Sequence, residues 1–267
     1  MPEAENRPTG LRRSRRNLIK MGAITVSSVL AISAKAGTTS TSTVCSSTLG
    51  CRCFLKGTTI RTADGDKRIE QLATGDLLPT VFGGMRPIQW IGRYHFKKSD
   101  PTKAWVKDVR PVRIARSALG PEVPHADLLV TQAHALLIDD VLVPVCNLIN
   151  GTTIALYDAR ALNELEFFHI KLEHHDVIYA EGVPCETLRH VDENAVNFAE
   201  YFRTYGQPVT KSSPCVPVLG FGPRVEIKSR LRSAISPWID RRQKLDIIRD
   251  KLEEGEIALL RQPELIP

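Results

Sequence analysis

Three sets of side chains in this sequence have the types and spacing to do chemistry. Cys53 opens the run Cys53-Phe54-Leu55-Lys56-Gly57-Thr58-Thr59-Ile60; Thr131 and His134 lie in Leu129-Val130-Thr131-Gln132-Ala133-His134; and Glu173-His174-His175-Asp176 leads into Val177-Ile178-Tyr179-Ala180. An amide is a poor electrophile whose planarity resists twisting. A cysteine attacking the peptide bond that joins it to Arg52 therefore needs three things. The sulfur must sit at attack distance, which its place in the chain nearly ensures. Its thiolate must be accessible, through a lowered pKa or a nearby base. The departing nitrogen must be protonated, and a distorted Arg52–Cys53 peptide would help. The Thr-x-x-His block supplies donors for this. A competing chemistry reads His134, His169, Glu173, His174, His175 and Asp176 as a metal-hydrolase cluster. Adjacent His174 and His175 would point to opposite faces of a strand, so they could not both serve one ion easily.

The elements that must position these groups read as short strands and tight turns. Thr58–Thr62 alternates and is broken by Asp64-Gly65, a strong hairpin turn. Further strands are predicted over 88–94, 110–115, 127–131, 135–138, 141–145, 153–156, 167–172 and 177–180. Their β-branched content and even spacing argue for an all-β domain. Gly57-Thr58-Thr59-Ile60 is echoed by Gly151-Thr152-Thr153-Ile154. After Thr187 the character changes, with a short helix predicted over 194–202 and a Pro/Gly-rich loop over 208–223. A last helix is predicted from Ser236-Pro237-Trp238, with Ser as N-cap and Pro at the first helical position. Leu245, Ile248 and Leu252 keep helical spacing on one face, and this tail is expected to pack on the β domain.

The cysteine-first run, the Thr-x-x-His strand end and the late strand pair, in this order, resemble the Hint (hedgehog/intein) domain family. The resemblance covers about Cys53 to Leu188 and implies a horseshoe of pseudo-symmetric strands, which the Gly-Thr-Thr-Ile echo fits. It also implies autoprocessing: an N–S acyl shift at Cys53, cleaving after Arg52 through a thioester that is hydrolysed or transferred. In that reading His134 hydrogen-bonds and protonates the Cys53 amide nitrogen, Thr131 orients the scissile bond, and Asp176 serves as base or anchor toward Cys53. Splicing members end on His-Asn, whose Asn cyclises; here Glu186-Thr187 stand there, so splicing is not expected. Cys185 and Cys51 are candidate redox partners of Cys53, Cys185 being favoured because family members often bring that position beside the first residue. The resemblance implies no cofactor and no metal. Two other classes stay open: an inactive secreted Hint-fold module and, less favoured, the metal-dependent hydrolase.

The net charge of +6 belongs to the leader. Residues 1–36 carry seven Lys/Arg against Glu3 and Glu5, leaving 29 basic and 28 acidic residues in the remainder. No basic face argues for nucleic acid. Ser14-Arg15-Arg16-Asn17-Leu18-Ile19-Lys20 resembles a twin-arginine export signal, with Arg15 and Arg16 as its pair. A short apolar stretch and Ala34-Lys35-Ala36 follow, suiting cleavage after Ala36. The expected destination is the periplasm or the cell exterior, reached through the twin-arginine machinery with no stable membrane span. Residues 37–52 read as a Ser/Thr-rich linker, 53–188 as the Hint domain and 189–267 as a partly helical extension. The expected partner in the reaction is the chain's own upstream segment. Six cysteines at 45, 51, 53, 146, 185 and 215 include no Cys-x-x-Cys, and an exported protein could oxidise them.

Overall fold

The computed structural model describes residues 52–191, 193–206, 213–219 and 244–260, with side chains up to Gly255 in the last segment. Arg15, Arg16, the linker cysteines Cys45 and Cys51, and the helix start at Ser236 lie outside the described residues.

The described strands are β1 (Phe54–Leu55), β2 (Thr59–Thr62), β3 (Gly65–Arg68), β4 (Leu77–Thr80), β5 (Gly84–Pro87), β6 (Trp90–Lys97) and β7 (Val112–Ile114). They continue with β8 (Leu128–Val130), β9 (Ala135–Ile138), β10 (Val141–Pro144), β11 (Ile154–Leu156), β12 (Glu164–Lys171), β13 (Val177–Ala180) and β14 (Val183–Glu186). The helices are α1 (Phe198–Tyr205) and α2 (Lys244–Leu260). The strands form two antiparallel sheets. One runs β11-β7-β8-β1-β12-β6; the other runs β10-β9-β14-β13-β2-β3, with β4 also on β13 and β5 on β4. The chain is all-β with a helical C-terminal part, as expected.

Local chemistry fixes the hairpins. Asp139 and Asp140, both at positive φ, join β9 to β10, and Glu181-Gly182, also both positive, join β13 to β14. Two-residue loops of this kind match the strand twist, and Asp and Gly tolerate the left-handed region. The turn at Gly65 (φ 103) closes β2 on β3, pairing Thr62 with Gly65. The two Gly-Thr-Thr-Ile echoes share two features: Gly57 and Gly151 have φ of 90 and 88, and Ile60 and Ile154 are both fully buried. One feeds β2 and the other β11, in different sheets.

The main core gathers Phe54, Ile60, Val130, Leu136, Phe168, Ile170, Ile178 and their neighbours from both sheets. Burying such side chains contributes roughly 1.5–3 kcal/mol each. A second cluster collects Cys53, Leu55, Trp90, Phe167 and Tyr201. Helix α1 starts later than predicted and packs on β6: the Asn197 amide bonds Arg93 N and Ile91 O, and Trp90 meets Tyr201 edge to face. Helix α2 buries Ile248 in the main core with Leu245 and Leu252 partly buried beside it, so the 3.6-residue spacing marked the packing face. Among the described residues no helix is long and apolar enough to cross a membrane.

Candidate functional site

Cys53 immediately precedes β1, an interior strand of the first sheet. Phe54 pairs with Val130 of β8 on one side and with Phe168 of β12 on the other. That register delivers the Thr-x-x-His block. The Thr131 N–H donates to the Cys53 carbonyl at 2.9 Å, and the Cys53 N–H donates to Thr131 Oγ1 at 2.8 Å. These two bonds grip Cys53 at its amide and its carbonyl. From Thr131 the chain turns, with the His134 N–H on the Thr131 carbonyl at 3.1 Å, and enters β9 of the other sheet. Thr131 and His134 thus lie where one sheet hands the chain to the next.

His134 is fully buried, its ring 4.3 Å from that of Phe54 and 5.8 Å from that of His169, centroid to centroid. Burial drives its pKa down to about 4, because desolvation disfavours the imidazolium more than Glu186 and the Arg52 backbone favour it. The ring is therefore neutral near pH 7. The Arg52 backbone lies close enough to favour the protonated form, yet neither ring nitrogen of His134 completes a hydrogen bond with the described residues. His169, also fully buried, is held well below its ordinary value by desolvation first and then by His134, Arg52 and His175.

Glu186, at the end of β14, is the residue that sequence reasoning missed. Cys185 pairs with Leu136, so β14 lies against β9 and the Ala135 N–H donates to Glu186 Oε1 at 2.8 Å. Oε2 accepts from Arg52 Nη1 at 2.8 Å and stands 3.6 Å from His175 Nε2. Burial pushes this carboxyl up, but His175, Arg52 and His134 together bring it below the ordinary carboxylate range. The His175 ring accepts the Cys215 N–H at Nδ1, 3.0 Å away. That leaves Nε2 as the ring nitrogen facing Glu186.

A family model described as the Hint domain matches residues 52–192, more than half of the chain. The chain belongs to the Hint domain family. Solved structures similar to this Hint protein include the gp41-1 intein (15% identity, covering 51% of this chain and 98% of that one, TM-score 0.35). Others are the DnaB intein from Synechocystis sp. PCC 6803 (12%, 52% and 99%, 0.34) and the MchDnaB-1 intein (16%, 49% and 98%, 0.31). No curated protein matches it.

Three expectations for this Hint domain need correction. First, the Cys53 N–H is held by Thr131 Oγ1 rather than by His134; the imidazole stands beside the Arg52 backbone instead. Second, Asp176 is not directed to Cys53. Its Oδ1 accepts from Phe82 N at 3.1 Å and Val177 N at 2.8 Å, and its Oδ2 is 3.5 Å from Arg86 Nε. Successive residues point to opposite sides of an extended chain, and here His175 turns to Glu186 while Asp176 turns to Arg86. Third, Cys53 and Cys185 are both thiols, buried in different core clusters, whereas Cys146 is disulfide-bonded. Burial raises the Cys185 pKa well above its ordinary value, which disfavours its thiolate. No three His, Cys, Asp or Glu side chains converge as a metal site among the described residues.

Proposed function

We propose that this Hint domain processes itself at the Arg52–Cys53 bond by an N–S acyl shift without splicing. The observation that carries the reading is the grip of Thr131 on the Cys53 amide, with neutral His134 beside the Arg52 backbone. Cys53 Sγ attacks the Arg52 carbonyl carbon; a C–S bond forms, the C–N bond breaks, and the thiol proton ends on the freed Cys53 nitrogen. The step is an isomerisation and needs no co-reactant. Thr131 holds the nitrogen as it becomes pyramidal and gains a lone pair. A neutral imidazole has one N–H to give and one lone pair to accept, so His134 can pass the proton from sulfur to nitrogen without placing a net charge in the core. Water then cleaves the thioester, leaving a carboxylate on Arg52 and the thiol on Cys53, or another nucleophile takes the acyl group. Glu186-Thr187 offers no asparagine to cyclise, and Thr187 Oγ1 is engaged with the Asp176 backbone.

Intact mass of the full chain and of its Cys53→Ala variant, with and without hydroxylamine, tests this. Cleavage of the wild type at Arg52–Cys53, absent from the variant, is expected; two uncleaved proteins overturn the reading in favour of an inert Hint-fold module. Export by the twin-arginine route is part of the same proposal. Replacing Arg15 and Arg16 by Lys should retain the protein in the cytoplasm, and unchanged export in a fractionation blot removes that route.

A further inference from the structure

We propose that Glu186 is a recognition site for a basic side chain at the position preceding the nucleophile, so that this domain selects the arginine on the far side of its own scissile bond. The inference rests on the autoprocessing reading and gives that reaction its substrate class: a chain carrying arginine immediately before the cysteine. Glu186 is fully buried, and a buried carboxylate is retained only where cations and hydrogen bonds replace its water. One oxygen is satisfied by the Ala135 N–H of its own domain. The other takes Arg52 Nη1 at 2.8 Å, while His175 stands farther off at 3.6 Å. His175 spends its Nδ1 on the Cys215 backbone N–H. The cationic group closest to Glu186 is therefore the Arg52 guanidinium.

The two partners lie on opposite sides of the bond to be cut. Arg52 belongs to the segment that leaves, and Glu186, 134 positions away in sequence, stays with the domain. The Arg52 side chain retains 24% of its exposure and reaches inward from the surface to a carboxylate that has none. Such a contact holds the acyl half of the scissile peptide while Thr131 holds the amine half. It also persists in the thioester, where the Arg52 acyl group remains docked by its side chain after the C–N bond has broken. A guanidinium is more weakly hydrated than an ammonium and is the easier cation to bring against a buried carboxylate, so lysine should serve less well than arginine.

The test uses the full chain and follows hydroxylamine-induced cleavage by intact mass for Arg52→Lys, Arg52→Gln, Arg52→Ala and Arg52→Glu, each with Glu186 and with Glu186→Gln. With Glu186 present, Lys should be intermediate and Gln and Ala about tenfold or more slower than Arg, as for truncation of one member of a buried charge pair. Glu should be slower still through like-charge repulsion. In the Glu186→Gln background the advantage of Arg over Gln should collapse to roughly twofold or less, which loss of folding would not produce. Equal rates for Arg and Gln with Glu186, or an unchanged preference without it, overturns the proposal. A second measurement is independent of cleavage: urea unfolding of Arg52→Gln, Glu186→Gln and their double variant, all in Cys53→Ala. Non-additive midpoints support recognition, and additive ones overturn it. If the wild type never cleaves while the coupling is present, the autoprocessing reading falls and Glu186 remains a docking site for the side chain at position 52.

Discussion

Acid should destabilise this domain earlier than its carboxylates alone would, because His134 is buried as a neutral ring. The unfolded imidazole binds its proton near 6.5 and the folded one only near 4. Between those values the unfolded chain holds more protons, so the contribution is complete above pH 6.5 and is lost as pH falls through the window. From these two values the loss is about 2 kcal/mol between pH 7 and pH 5, and about 3 kcal/mol by pH 4. His169 is shifted in the same direction and adds to it. Glu186, held below its ordinary value, contributes a further loss only lower down, where carboxylates titrate. Against a domain stability of roughly 5–15 kcal/mol, a loss of about 2 kcal/mol is readily measured. The assay is urea unfolding of the full-length Cys53→Ala protein from pH 7 to pH 4.5, beside the same protein carrying His134→Gln. The parent midpoint should fall steadily below pH 6.5 and the double variant should show a shallower slope. Proton NMR of the ring carbons should place His134 near 4. A ring titrating near 6.5, or a midpoint flat between pH 6.5 and 5, refutes the reasoning.

Other consequences follow from the same geometry. Thr131→Ala leaves the buried Cys53 N–H without its acceptor, a loss of about 1–3 kcal/mol that should slow hydroxylamine cleavage roughly tenfold or more, while Thr131→Ser should retain most of the rate. Asp176→Asn should lower the urea midpoint by weakening the contacts to Arg86, Phe82 and Val177, yet leave the cleavage rate of the folded protein within about threefold; a loss as deep as that of Cys53→Ala would return Asp176 to the mechanism. Gly182→Ala forces a β-carbon onto a residue at φ 81, 2.5 Å from the His125 ring, and should cost about 1 kcal/mol or more in thermal or urea unfolding.

Much of the fold was legible because it is written in nearest neighbours. An alternating run marks β2, short apolar runs mark β9 and β13, Asp64-Gly65 marks the β2–β3 hairpin, and helical spacing marks the face of α2 that buries Ile248. The strands that pattern reading passed over include β4, β5 and β14, which carry Pro79, Pro87 and Pro184. Proline removes a ladder donor and argues against a strand, but tertiary pairing with β13 and with each other holds these segments extended. The short β1 has two residues and no periodicity to read; it is a strand because β8 and β12 flank it.

Of the site, the sequence by itself determined the reactive types and their order: a cysteine after an arginine, Thr131 three residues before His134, and no asparagine at 186–187. Those properties are local, set by side-chain chemistry and chain adjacency. Only the tertiary structure decided the partners. The β1–β8 register gives the Cys53 N–H to Thr131 rather than to His134, and two-residue periodicity turns His175 toward Glu186 while Asp176 faces Arg86. Glu186 reads in the sequence as a mere departure from a splice motif. It becomes a site because β14 pairs with β9 and sets its carboxylate against Arg52, across a sequence distance that no local pattern spans. Burial, a property of the whole packed core, then holds His134 neutral.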